Sequence, residues 1–136
     1  MRLDLLANHL ASQRVGIVGK TIFAHYMPAE CKEGVLLKLP ISGIEHDPYM
    51  PGYYKTTLQA IVRGQSETRG EKLSDQVVKA LVHELTKDYF DQPGSKFAMR
   101  INYLLQEKLP IRYPRLDGNG IEWSLNFMSS FVLPTK

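Results

Sequence analysis

Apolar residues recur at helical spacing at the start of the chain, at Leu3, Leu6, Ala7 and Leu10, with Leu5 widening the stripe. That period predicts a helix over residues 2–13. The helix either lies on the body of the domain or forms an arm that docks on a neighbour. Val15-Gly-Ile-Val-Gly19 ends it and turns the chain. Thr21–Tyr26 is rich in β-formers and stops before Pro28, and Val35–Leu39 is the next strand, stopped by Pro40. The short segment Ala29–Gly34 between them predicts an antiparallel connection.

Residues 41–52 contain Gly43, Pro48, Pro51 and Gly52, a composition that disfavours a regular element. They predict a long loop arm over 40–53. Tyr49 and Met50 are large for a loop tip. They either fold back onto the domain or plug into a partner, where aromatic and Met side chains often anchor contacts. From Tyr54 to Arg63 the alternation is clear. Tyr54, Thr56, Leu58, Ala60 and Val62 share one face, and Lys55, Thr57, Gln59, Ile61 and Arg63 the other.

Thr68 and Glu71 have the spacing of a capping box. Leu73, Val77, Leu81, Leu85 and Tyr89 follow at four-residue intervals, with Val78 and Val82 beside them and Lys72, Asp75, Gln76 and Lys79 facing water. This predicts a helix through Leu85 that covers one face of a sheet. After the turn at Asp91-Gln-Pro-Gly94, Phe97–Leu105 alternates, with Phe97, Met99, Ile101 and Tyr103 on one side. Pro110, Pro114 and Gly118-Asn119-Gly120 predict a second loop. Ile121, Trp123, Leu125 and Phe127 then face inward along a last strand that Phe131 and Leu133 extend, before Pro134-Thr-Lys. The expected order is helix, two strands, long loop, strand, helix, two strands. That is a single α+β domain over 1–136, with a mostly antiparallel or mixed sheet and two helices packed on it.

Composition narrows the function. At 136 residues the chain fits one moderate core, and it is 43% hydrophobic and 23% charged. No apolar run reaches the roughly 18 residues of a membrane span. Arg2 is followed by Asp4 and no cleavable apolar stretch, so neither a signal peptide nor a membrane partner is expected. Cys31 is the one cysteine, which rules out an internal disulfide. The net charge of +3 comes from 17 basic and 14 acidic residues, spread without a basic stripe.

The sequence offers little catalytic material. His9, His25, His46 and His83 have no metal-site spacing, and Cys31 has no marked activating base. Gly19-Lys20-Thr21 fits the end of a phosphate loop, but that motif needs a glycine at position 14, where Arg14 stands. Asp88, Asp91, Asp117 and Glu122 are acidic material for a metal-dependent nuclease without a motif to bring them together. Arg63, Arg69 and Arg100 are scattered phosphate contacts, pair across subunits with Glu45, Asp47 or Glu71, or are plain surface arginines that need neither explanation. No catalytic residue, cofactor or metal site is expected.

Met27-Pro28, Gly34-Val-Leu-Leu, Gly43, Asp47, Pro51-Gly-Tyr-Tyr-Lys55, Gln59-Ala-Ile-Val-Arg63, the Leu73–Leu81 helix and Trp123-Ser-Leu-Asn-Phe127 form a pattern of turns and strands. Over roughly residues 15–130 it resembles the tail terminator proteins of tailed bacteriophages, some of which are labelled minor capsid or tail completion proteins. The resemblance implies a non-enzymatic virion protein at the head–tail junction, or neck, assembled in the host cytoplasm. It implies a hexameric ring that caps the tail tube, ends its polymerisation and meets a head-completion or connector protein, with DNA passing through the lumen without sequence-specific binding. Expected partners are therefore other copies of the chain, the tail tube protein and the connector. Glu45, His46, Asp47, Tyr49 and Met50 are the expected arm contacts. Tyr53 and Tyr54 sit where the arm rejoins the sheet, as contacts or as internal anchors. Arg63 and Arg69 are candidates for ion pairs between subunits or for the lumen lining. The alternatives are a head-completion or connector ring protein, a small nucleic-acid-binding protein or metal-dependent nuclease, and a small-ligand domain.

Overall fold

The alternating and helical stretches condense into eight elements, α1 (Leu3–Ser12), β1 (Ile22–Ala24), β2 (Gly34–Lys38), β3 (Tyr53–Gly64), α2 (Glu67–Leu81), β4 (Lys87–Tyr89), β5 (Met99–Pro114) and β6 (Ile121–Val132). The structure is a computed structural model, and it describes residues 1–94, 96–114 and 120–134. The strands form one six-stranded sheet in the order β1-β2-β3-β6-β5-β4. The sheet is mixed, and the domain is α+β as expected.

The inward face follows from the alternation. Leu58, Ala60 and Val62 of β3 stand opposite Phe127, Leu125 and Trp123 of β6. All six are buried, and they join Leu3, Leu6 and Leu10 of α1 and Val77 and Leu81 of α2 in one core. Both helices cover this face. The opposite face is largely polar at its centre, where Gln59 Nε2 donates to Ser124 Oγ (2.7 Å) and Asn102 Nδ2 to Ser130 Oγ (3.1 Å).

Several local expectations are corrected. β1 and β2 run parallel, with Ile22 opposite Val35 and Ala24 opposite Leu37. Residues 25–33 are not a hairpin: His25 takes a positive φ of 71°, and the chain doubles back before re-entering the sheet. The N-cap of α2 is Ser66, whose extended backbone lets its Oγ accept from Arg69 N (3.3 Å). Thr68 therefore lies inside the first turn, and the expected capping box is not the cap. The helix stops at Leu81 because Val82 turns extended (ψ 127°) and His83 exchanges backbone hydrogen bonds with Leu104. Leu85 consequently lies outside the helix and is exposed, while Tyr89 belongs to β4, a strand that the apolar spacing concealed.

β5 departs most from its prediction. Met99 and Ile101 point inward as expected, but a bulge between Ile101 and Tyr103 shifts the register. Leu104 takes the core position in place of Tyr103. The strand then continues through Pro110 to Pro114, which had been read as loop. β4 pairs only with residues 99–101, so the far edge of β5 is open and the proline's missing N–H breaks no ladder bond on that side. Of the expected Gly118-Asn119-Gly120 loop, Gly118 and Asn119 lie outside the described residues, as do Asp117 and the terminal Thr135-Lys136.

Candidate assembly surface

The arm between β2 and β3 is irregular, as its prolines and glycines require. Its root is fixed in the domain. Tyr54 stacks on Phe131 of β6 (centroids 5.2 Å apart), and His46 meets Tyr54 edge-on at 5.4 Å. Gly52 has a φ of 81°, and its carbonyl accepts from Leu133 N (2.8 Å), which ties the arm to the end of the last strand. Tyr54 is thus an internal anchor. Ile44 packs against the core and pins the middle of the arm.

The tip is shaped rather than slack. Asp47 Oδ1 accepts from Tyr49 N (2.9 Å), and Asp47 O accepts from Met50 N (3.1 Å). This turn aims Tyr49 away from the body, at 92% exposure, and leaves Met50 46% exposed. Tyr49 is not folded back onto its own domain. Ile41 is fully exposed at the arm's start, and Glu45, His46 and Asp47 are also exposed. Tyr53 is half-buried and, with Met50, Tyr54 and Lys55, lines a recess of about 390 Å³ beneath the tip.

Arg63 and Arg69 sit at the far end of β3 from the arm. The Arg63 side chain is 15% exposed, with Nε 2.8 Å from Glu122 Oε2 and Nη1 donating to Pro28 O (2.8 Å) and Cys31 O (3.3 Å). Its charge and donors are spent within the chain, where they hold the 25–33 connection to the sheet. Arg69 is exposed and pairs loosely with Glu33 at 3.3 Å. The two arginines border a groove of about 460 Å³. Its apolar lining comes from Val15, Ile17 and Leu73, and Lys72 joins the arginines on its wall. In sequence, residues 15–19 show only a turn. The exposed Ile17 and Val18 were a signal for this surface, as apolar residues in a Gly-rich turn have no core face of their own.

Of the acidic residues that could serve a nuclease, the three that are described are tied up elsewhere. Asp88 accepts from Arg100 (2.6 Å), Asp91 pairs with Arg2, and Glu122 holds Arg63. Among the described residues no three His, Cys, Asp or Glu side chains are placed to share a metal. The Gly16–Thr21 segment closes into a turn, with Thr21 Oγ1 accepting from Ile17 N (2.8 Å), and leads into a strand rather than the helix that a phosphate loop needs. Among the described residues no helix is long and apolar enough to cross a membrane.

A sheet backed by two helices, with its largest bare apolar side chains on loops, is a scaffold for contacts with other macromolecules. Comparison with known proteins makes that class specific. The family model described as bacteriophage tail terminator protein matches residues 9–132. The chain belongs to that family, so it is a structural protein of the phage tail with a role in tail completion. Among solved structures, a chain from the virion of a native gene transfer agent (GTA) particle shares its fold at a TM-score of 0.51. The two are 13% identical, and the match covers 90% of this chain and 84% of that one. A second structure, 10% identical over all of this chain and 98% of its own, reaches a TM-score of 0.49, too loose a likeness to build on. No curated protein matches the chain.

Proposed function

We propose that copies of this chain close into a ring, hexameric as in the family resemblance, that caps the tail tube at the neck. The ring ends tube polymerisation and presents its other face to a head-completion or connector protein, and DNA passes through its lumen. The observation that carries this reading is the arm. Its root is fixed by the Tyr54–Phe131 stack, and its tip holds Tyr49 92% exposed. An aromatic side chain held in water by an ordered turn gains by burial in a partner, and such residues dominate interface energetics. Glu45, His46, Asp47, Tyr49, Met50 and Tyr53 are assigned to arm contacts and Arg69 to a contact between subunits. Tyr54 and Arg63 serve the subunit's own fold.

Replacing Tyr49 and Met50 together with Ser tests this. The double variant is expected to lose assembled mass in light scattering, alone and with cognate tail tubes, while its circular dichroism and melting temperature stay those of the wild type. Ring formation and tube capping that survive the double substitution would sink the arm assignment.

A further inference from the structure

The arm and the groove beside Arg69 lie at opposite ends of one strand. Tyr53 begins β3 just after the arm tip, and Gly64 ends it at the groove. A strand of that length, at about 3.4 Å per residue, separates them by about 35 Å. The arm is rooted in its own subunit through Tyr54 and Gly52, so it cannot reach its own groove.

The two features are complementary. Residues 40–53 carry Glu45 and Asp47 and no lysine or arginine. On the groove wall Arg63 is neutralised by Glu122, which leaves Arg69 and Lys72 against Glu33. The excess is positive where the arm is negative. The arm's leading side chains, Tyr49 and Met50, are apolar, and so is the groove floor of Val15, Ile17 and Leu73. A cleft of about 460 Å³ is within the range that takes bulky side chains.

We infer that the groove is the receptor for the arm of a second copy of this chain, with Tyr49 and Met50 seated on Val15, Ile17 and Leu73, and Glu45 and Asp47 facing Arg69 and Lys72. The inference rests on the ring reading and specifies its contact. Two different patches on one chain make a heterologous, head-to-tail interface, which closes into a ring when the rotation per subunit allows. The roughly 35 Å offset gives each copy one arm to donate and one groove to fill.

The test is a cross-link in the full chain with Cys31→Ser. One set of molecules carries Pro48→Cys, exposed beside the arm's anchor and leaving Tyr49 and Met50 in place, and a second carries Gln76→Cys, at an exposed position that lines the groove. Mixed and oxidised, the two should give disulfide dimers well above a control pair with Cys at Thr57 on the helix-free face. A chain carrying both cysteines should give a ladder of multimers and no internal disulfide, as a disulfide spans less than about 7 Å between Cα atoms. In parallel, Arg69→Glu/Lys72→Glu should raise the concentration for half-assembly about tenfold or more, and Glu45→Lys/Asp47→Lys in the same chain should restore it. If the wild type assembles but these cross-links do not exceed the control and the reversals change nothing, the groove assignment is overturned and the ring reading stands. A wild type that stays monomeric, alone and on tail tubes, and yields no cross-link overturns both.

Discussion

At the scale of single residues, the most constrained chemistry lies where α1 meets β4. His9 Nε2 is 2.8 Å from Ala80 O, which makes that nitrogen the donor and leaves Nδ1 without a proton, free to accept from the Lys87 ammonium at 3.4 Å. His83 Nδ1 donates to Leu85 O (2.8 Å), and its Nε2 is buried without a hydrogen-bond partner among the described residues. Both imidazoles therefore fit the fold as neutral groups. Burial, with Lys87 adding repulsion, holds both pKa values below the usual 6.5, and burial also pushes the nearby Tyr89 phenol up to about 12. The sign follows from proton counting. Below pH 6.5 the unfolded chain binds protons at these histidines that the folded chain refuses, so stability falls as pH drops through and below that value. The melting temperature is expected to decline from pH 7 to pH 5, and His9→Gln/His83→Gln should flatten that part of the profile. An identical slope in the double variant would exclude the histidines as its source. The Asp4 and Asp88 carboxyls, held below 3.8 by their Arg2 and Arg100 partners, lose their contribution only in more acidic solution.

At the scale of elements, the seating of α2 decides the shape of the groove end. Gly70 faces the indole of Trp123, and a Cβ there would stand 1.9 Å from a ring carbon. A Cβ on Gly64 would likewise stand 2.7 Å from the Gly70 Cα, so the first turns of the helix rest almost directly on the sheet. Gly70→Ala would gain about 1 kcal/mol of helix propensity. It must also displace a tryptophan that is 3% exposed, and overpacking of this kind costs about 1–3 kcal/mol. Net destabilisation is expected in urea unfolding, by about 1 kcal/mol, despite the better helix former. A stabilised variant would show that the helix can lift off the indole freely. The open edge of β5 is guarded by its own sequence. Lys108, Pro110 and three register shifts roughen a strand that would otherwise template pairing with another chain, although Leu109 and Ile111 remain exposed. Contact through a loop and a groove is compatible with such a guarded edge.

At the scale of the whole molecule, most of the described arginines are matched by a carboxylate. Arg2, Arg63, Arg69, Arg100 and Arg112 each have a carboxylate within 4.0 Å, so the net charge of +3 does not gather into a stripe. If the proposed ring forms, a lumen that lets DNA slide would gain from this, because each neutralised phosphate would add affinity and friction. Weak binding to duplex DNA is expected at physiological salt, with a shallow salt dependence in fluorescence anisotropy. Tight binding with a steep slope would instead favour a nucleic-acid-binding role.

The sequence by itself determined the α+β class, α1, the faces of β3 and of β6 and the site of the arm. Each of these rests on a local period or on a cluster of turn residues, and adjacent residues suffice to encode them. The resemblance to tail terminators was legible for the same reason, since it is carried by turns and strands in order. The tertiary structure decided what depends on partners far along the chain. The connection between the parallel strands β1 and β2 is held by the Arg63 guanidinium, and the end of α2 coincides with Leu104 opposite His83. The inward turn of Leu104 needs a bulge that no alternation announces. The candidate surface divides the same way. The arm was readable from its composition, and Tyr49's exposure was decided by the Asp47 turn. The groove assembles Val15, Glu33 and the α2 residues Arg69 and Leu73 from three separate segments, and only the folded chain brings them together.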